Sequence, residues 1–312
     1  MMKAARIHGY GAEPVMEDVP VPEAGPNQVL VRVKATSLNP LDVKLHSGVM
    51  HGFFPLAFPY TLGTDLTGIV ERTGAGVTGW QAGDAVVARL DPTSGGAVAE
   101  FALLPAGYLA AAPKTVSLDD AAGIPTAAGT AWQALFEVGG LKGGQTVLVH
   151  AGAGGVGSFA VQLAREMGAR VIATASGSGI EIARRLGADQ VIDYTAADFA
   201  GNLSDVDLVL DTIGSETQQQ SFGVLRTGGV LISTVLPPDE ALAKAHGVTA
   251  SFVFHQSDAA RLGRIVERLD AKTLSILVDR TVPLTEFADA FRYLASGGAR
   301  GKVILSLPDL AT

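Results

Sequence analysis

The chain has 312 residues, of which 47% are hydrophobic and 17% charged, with a formal net charge of −8 and no cysteine. This is the composition of a globular protein with room for about two domains. It excludes disulfides, thiolate nucleophiles and cysteine-bound zinc, and so acidic a chain lacks the basic surface that nucleic acid or an anionic membrane requires.

The first residues, Met1-Met2-Lys3-Ala4-Ala5-Arg6, run straight into strand-like sequence without the apolar stretch of a secretion signal. No run of 18 apolar residues follows, so the expected location is the cytoplasm. Residues 28–35, 67–72 and 84–88 alternate as half-buried strands do and are separated by Gly and Pro. That pattern predicts a compact β-barrel or sandwich. The pattern changes at Ser117, a predicted helix N-cap followed by Asp119 and Asp120 in the first turn.

From there strands and helices alternate. Residues 146–150, 170–174, 206–211 and 230–234 read as buried strands, and 155–167 and 179–186 as helices, the second ended by Gly187. Such alternation predicts a parallel, doubly wound sheet. Residues 248–254 read as its last strand, which needs cover if it lies on an open edge. A strand at 279–284, a helix at 285–294 capped by Thr285 and a strand at 302–307 are expected to return to the first domain. The expected domains are therefore 1–118, 119–270 and 271–312.

The strand at 146–150 leads into Ala151-Gly152-Ala153-Gly154-Gly155-Val156-Gly157, in which the glycines at 152, 154 and 157 fit G-x-G-x-x-G. Gly152 allows a tight turn, Gly154 lets backbone approach a pyrophosphate, and Gly157 lets the helix pack on the strand. A dinucleotide is the expected ligand, held by the amides of the loop and the helix N-terminus. Selectivity between NAD and NADP is set at the end of the second strand, where an acidic residue normally holds the ribose 2′-hydroxyl. Here the segment is Ala175-Ser176-Gly177-Ser178-Gly179, with no carboxylate before Glu181. Nothing there repels a 2′-phosphate, and Ser176 and Ser178 can donate to it, so NADPH is the expected cofactor.

At this point the sequence resembles the zinc-independent quinone oxidoreductases of the medium-chain dehydrogenase/reductase superfamily. The residues that carry the resemblance are Asn39-Pro40-Leu41-Asp42-Val43-Lys44, Leu62-Gly63-Thr64-Asp65-Leu66-Thr67-Gly68, Gly83-Asp84-Ala85-Val86, Thr126-Ala127-Ala128-Gly129-Thr130-Ala131-Trp132, the loop at 151–157 and Gly301-Lys302-Val303. The resemblance implies a GroES-like β-barrel catalytic domain beside a Rossmann domain, with a cleft between them. It implies a Cys in place of Asn39, and a His-Glu pair in place of Thr64-Asp65, in zinc-containing relatives. It also implies that Tyr194 lies near the adenosine 2′-phosphate, that Thr126 and Thr130 hold the nicotinamide, and that Lys302 closes over the cofactor. The family often has a Lys on the helix after the second strand, where this chain has Ile180.

Hydride transfer to a quinone or an α,β-unsaturated ketone develops negative charge on the acceptor oxygen, which hydrogen-bond donors must meet. Asn39 can donate through its amide. Tyr60 can donate or supply a proton, or serve only as a buried tyrosine. Asp42 can act there or orient a neighbour, and Asp65 is expected to anchor backbone. Phe53, Phe54 and Phe58 can line an apolar pocket or plug the core; His46 and His51 are read as surface residues outside the chemistry, and His150 as structural. The expected function is an NADPH-dependent reductase of quinones or enones that uses no metal and forms a homodimer. The alternatives are an enoyl-thioester or alcohol/aldehyde reductase, or a regulator that binds NADPH without turnover.

Overall fold

The structure, a computed structural model, describes residues 1–308. The chain divides into two compact units, one of residues 1–126, 257–272 and 278–312, the other of residues 127–256 and 273–277.

The first unit is built on β-strands: β1 (Met2–Ile7), β2 (Val15–Val19), β3 (Gln28–Leu38), β4 (Tyr60–Thr61), β5 (Asp65–Thr73), β6 (Ala85–Arg89), β7 (Phe101–Pro105) and β8 (Leu109–Ala111). Strands β1, β2 and β4 form a small antiparallel sheet. The long strand β3 pairs antiparallel with both β5 and β7, and β5 continues through β6 to β8. The alternation seen in the sequence has its expected cause, because inward residues such as Val29, Val31, Val33, Leu66, Val86 and Leu104 form one apolar core. Helix α1 (Pro40–Ser47) follows β3 directly, with Pro40 at its first position and Gly48 (φ 80) as its left-handed stop.

The second unit holds six parallel strands: β9 (Thr146–Val149), β10 (Arg170–Ala175), β11 (Gln190–Asp193), β12 (Val206–Asp211), β13 (Leu225–Ser233) and β14 (Thr249–Phe252). Their order is β11-β10-β9-β12-β13-β14, the doubly wound arrangement in which the chain reverses direction beside β9. Strands buried on both faces need continuous apolar sequence, which Thr-Val-Leu-Val of β9 supplies. Helix α2 (Leu118–Ala121) belongs to the first unit, and α3 (Pro125–Trp132) belongs to the second from residue 127 onward. Helices α4 (Gly155–Glu166), α5 (Gly179–Leu186), α6 (Ser215–Ser221) and α7 (Glu240–His246) belong to it. Gly187 (φ 110) ends α5 as the sequence predicts. Ser117 does cap, accepting from Asp120 N, but the helix it starts lasts a single turn.

The chain then returns to the first unit. Helix α8 (Ala259–Asp270), which the sequence reading places with the dinucleotide-binding domain, packs on β8, and Asp270 Oδ1 accepts from the backbone of Lys114 and Thr115. Its amphipathic pattern fits either sheet, so periodicity alone does not say which one it covers. Strand β15 (Val278–Pro283), helix α9 (Phe287–Ala295) and strand β16 (Lys302–Ser306) complete the unit, with β16 antiparallel to β3. Thr285 does not cap α9; it lies inside a 3-10 turn, Leu284–Glu286, and the helix starts at Phe287. Pro283 immediately before that turn fixes an extended entry (ψ 152), which makes a tight turn the easier start.

Candidate functional site

In the second unit, the turn between β9 and α4 is shaped by three glycines with different reasons to be glycine. A Cβ on Gly157 would lie 2.1 Å from the Ala151 carbonyl oxygen, and one on Gly152 would lie 2.7 Å from Ala173 Cβ. Both are demanded by the protein's own packing. A Cβ on Gly154 would meet nothing nearer than the Ala151 oxygen at 3.2 Å, and the next atom is at 3.7 Å. The space that Gly154 keeps open lies at the start of α4, where it is the N-cap residue with no side chain to cap the helix. The first-turn amides of Gly155, Val156 and Gly157 have no intrahelical acceptor. Free donors at the positive end of a twelve-residue helix are an arrangement that could hold a diphosphate. Ala153 is buried beneath the turn.

A hydrogen-bond chain holds this turn from below. Ala151 stands at φ 50, and its N–H donates to Thr174 Oγ1 (3.1 Å). Thr174 Oγ1 lies 3.2 Å from His150 Nδ1, and His150 Nε2 lies 2.9 Å from Ser221 Oγ. Ser221 Oγ donates to the Thr217 carbonyl (2.6 Å), so it accepts from His150. The ring is therefore neutral, with its proton on Nε2, and burial pulls its pKa down to about 4. His150 is structural, as read from the sequence, but what it supports is the dinucleotide turn.

At the ends of the neighbouring strands β10 and β11, Ser176 Oγ donates to Tyr194 Oη at 2.9 Å. Two residues read separately, 18 positions apart, thus form one exposed hydroxyl pair. Tyr194 is 58% exposed, and Ser178 is exposed at the start of α5. Thr130, on α3, is buried.

In the first unit, Asn39, Asp42, Asp65, Arg89, Thr126 and Lys302 form a buried polar cluster. Asp65, fully buried at the start of β5, is its hub. It accepts from Asn39 Nδ2 (3.0 Å), Thr126 N (3.1 Å), Thr126 Oγ1 (2.5 Å) and, more distantly, Ser37 Oγ (3.4 Å). Lys302 Nζ donates to Asn39 Oδ1 (2.5 Å) and to the Leu38 carbonyl (3.3 Å), 3.9 Å from Asp65 Oδ2. Burial pushes the Lys302 ammonium below its ordinary pKa, and Asp65 and Asp42 oppose that shift. The Asn39 N–H donates to Asp42 Oδ2 (2.7 Å).

This geometry revises several sequence-predicted roles. The Asn39 amide is directed at Asp65 and the Ser37 carbonyl, so it does not point a donor at an acceptor molecule. Tyr60 is 3% exposed and donates to the Pro92 carbonyl (2.8 Å); burial raises its pKa far above the ordinary tyrosine value, so it is no proton donor in this arrangement. The single hydroxyl proton of Thr126 goes to Asp65, which leaves none for a nicotinamide. Lys302 closes over Asn39 and Leu38 in the first unit. Each change has one cause: a buried polar group is costly unless paired, and these four found partners inside the unit. Asp42 does orient a neighbour, and Asp65 does anchor backbone. Phe54 packs against the core, whereas Phe53 is 57% exposed.

Asp42 is 1% exposed, and its Oδ1 has no hydrogen-bond partner. Desolvation raises its pKa from 3.8 to about 7, while the hydrogen bond from Asn39 opposes the shift. Between those two values the folded chain holds a proton that the unfolded chain releases, so stability falls as pH rises from about 4 to about 7. Asp42→Asn is expected to remove that decline. Denaturant midpoints of the two proteins should converge near pH 4 and separate toward pH 7, with the variant the more stable; parallel curves would contradict the assignment.

A model described as alcohol dehydrogenase GroES-like domain matches residues 25–114, and one described as zinc-binding dehydrogenase matches residues 186–305. The chloroplast envelope quinone oxidoreductase homolog of Arabidopsis thaliana is 33% identical over 328 residues, covering 98% of each chain. The chain belongs to the quinone oxidoreductase family of the medium-chain dehydrogenases/reductases. The solved quinone oxidoreductase of Coxiella burnetii superposes with a TM-score of 0.91 at 31% identity, over 98% of this chain and 99% of its own. Mycobacterial Rv1454c complexed with NADPH gives 0.88 at 29% identity, over 98% and 100%.

One matched model is named for zinc, and the residues here do not fit that metal. Among the described residues no group of three or more His, Cys, Asp or Glu side chains could hold a metal ion. The positions for which the resemblance implies Cys and His carry the amide of Asn39 and the hydroxyl of Thr64, and neutral amides and hydroxyls are poor zinc ligands. Sequence reasoning missed Arg89 altogether. It closes an apolar strand where an arginine normally reaches solvent, and only the fold shows it to be 4% exposed.

Proposed function

We propose that the chain is an NADPH-dependent, zinc-independent reductase of quinones or α,β-unsaturated carbonyls. The observation that carries the reading is Gly154: the protein's own packing opposes its Cβ with one tight contact only, the Ala151 oxygen at 3.2 Å, at the start of α4. The amides of Gly155, Val156 and Gly157 would hold the diphosphate, over the turn formed by Gly152 and Ala153. The Ser176–Tyr194 pair, with Ser178 nearby and no carboxylate at the end of β10, supports the 2′-phosphate form. Thr130 is the side chain proposed to hold the nicotinamide, and Thr126 tethers Asp65 to Arg89. A bound reduced dinucleotide supplies the hydride; the chain orients it, excludes water and meets charge on the acceptor. The names of the quinone oxidoreductase relatives and the NADPH-bound neighbour support the same reading.

No helix among the described residues is long and apolar enough to cross a membrane, and the proposed location is the cytoplasm. Strand β14 pairs with β13 on one side, and we propose that its other edge joins a second copy to form a homodimer.

NADPH oxidation followed at 340 nm with 1,4-benzoquinone and with 3-buten-2-one tests the reading. Turnover with either acceptor supports it; binding of NADPH with no acceptor-dependent oxidation would favour a regulator. Ser176→Ala and Tyr194→Phe are each expected to raise the NADPH KM about 3- to 10-fold, as loss of one or two hydrogen bonds to phosphate implies. Their NADH KM should stay unchanged; equal effects on both nucleotides would place the pair away from the 2′-phosphate.

A further inference from the structure

Asp211 is a buried carboxylate in the second unit that no role described so far absorbs. It ends β12 and is fully buried. Its Oδ1 accepts from the Ile213 N–H (2.9 Å) and the Gly214 N–H (2.8 Å). Its Oδ2 accepts from Gln218 Nε2 (2.9 Å) and Ser233 Oγ (3.0 Å). These donors are all neutral, and a carboxylate is kept inside a protein only where several hydrogen bonds offset its lost hydration. What Asp211 holds is an irregular turn. Gly214 stands at φ 81 and Ser215 at φ 51, a left-handed conformation that serine adopts only under constraint. A Cβ on Gly214 would lie 3.3 Å from Leu236 Cδ1, so the turn also packs against the residues that follow β13. Gln218 Nε2 donates to the Leu236 carbonyl as well (3.1 Å). Ile213 and Leu236 remain about half exposed.

This turn lies beside the proposed diphosphate site, within the same unit. Strand β12 runs parallel to β9 with Leu210 level with Val149, so residues 212 and 213 follow β12 where residues 151 and 152 follow β9. Thr212 Oγ1 donates to the His150 carbonyl (2.9 Å) and ties the two turns together. The strand order β11-β10-β9-β12 then sets a direction. The Ser176–Tyr194 pair proposed for the 2′-phosphate stands at the ends of β10 and β11, and the proposed diphosphate site at the end of β9. A dinucleotide carries its two nucleosides on opposite sides of the diphosphate, so the nicotinamide riboside falls on the far side of β9, over the end of β12. We propose that Asp211 is a positioning residue for that half: its carboxylate fixes the turn at residues 212–215 on which the nicotinamide riboside rests, with Ile213 as the apolar contact. This deepens the reading under Proposed function and rests on it. Without Asp211 the Ile213 and Gly214 amides would turn to water. With it they share one acceptor, braced on β13 through Ser233 and on α6 through Gln218, so the surface is preorganised before the ligand arrives.

The test titrates the full chain with NADPH and with adenosine 2′,5′-bisphosphate, which keeps the 2′-phosphate and lacks the nicotinamide riboside. Asp211→Ala is expected to raise the NADPH dissociation constant about tenfold, as the loss of one or two hydrogen bonds implies, and to leave that of the bisphosphate within about twofold. Asp211→Asn keeps one carbonyl oxygen for the Ile213 and Gly214 amides, so its NADPH loss should be smaller, about threefold, again without effect on the bisphosphate. This conservative variant carries the same comparison if the alanine protein fails to fold. A carboxylate that merely held the unit together would weaken both ligands alike. Equal weakening of both ligands, or unchanged NADPH affinity in every folded variant, would overturn the assignment. If the loss is confined to NADPH but no acceptor oxidises that nucleotide, the nicotinamide seat stands and the reductase reading fails instead.

Discussion

Replacing Gly154 with Asp is expected to abolish dinucleotide binding while leaving the fold nearly intact. The nearest atom to a Cβ at this position is the Ala151 oxygen at 3.2 Å, a contact that a few tenths of an ångström of movement relieves. Gly154 itself has φ −83 and ψ 178, which any residue adopts. The new carboxylate would stand at the N-terminus of α4, where it can even cap free amides. It would also occupy the place of the diphosphate and repel it, so a loss of at least 10³-fold in affinity is expected, about 4 kcal/mol. Gly157→Ala makes the opposite expectation. Its Cβ would lie 2.1 Å from a backbone oxygen, so this variant should lose stability before its affinity can be measured. Thermal melts and nucleotide titrations of the two variants separate the roles. A Gly154→Asp protein that melts like wild type and still binds NADPH normally would show that the diphosphate lies elsewhere.

Removing the Asp65 carboxylate is expected to be the most destabilising single change in the polar cluster. Asp65→Ala takes the acceptor from Thr126 N–H, Thr126 Oγ1 and the Asn39 amide at once, and leaves Lys302 and Arg89 as buried cations with less compensation. Breaking one side of a buried pair costs about 3–5 kcal/mol. In a unit of this size that corresponds to a fall in melting temperature of roughly 10 °C. Adding Lys302→Met to Asp65→Ala should return part of the loss, because the orphaned ammonium goes with it. Additive single and double effects would mean that the 3.9 Å separation carries no coupling.

The elements that sequence reading placed well are those set by local rules. Strands buried on both faces, such as Val206–Asp211, and helix stops at left-handed glycine, such as Gly187, are written in runs of a few residues. The glycine turn was legible for the same reason, including the close packing that residues 152 and 157 permit. Partnerships between distant residues were not. Ser176 and Tyr194 meet because β10 and β11 are parallel in a register that pairs Ala175 with Asp193. Lys302 reaches Asn39 across 263 positions because β16 lies beside β3. The location of α8 depends on which sheet its apolar stripe covers, and its own periodicity is silent on that. Arg89 was invisible because a strand-ending arginine carries no mark of burial until the fold supplies its surroundings. The residue types at the site were therefore readable, while their hydrogen-bond partners, and with them Asn39, Tyr60, Thr126 and Lys302 in their actual roles, required the tertiary structure.

The account depends most on a diphosphate seated at the start of α4, and isothermal titration of the pure protein with NADPH and NADH examines that directly. One NADPH per chain is predicted, bound more tightly than NADH. A flat titration with both nucleotides would contradict it and leave a Rossmann sheet with no cofactor to serve.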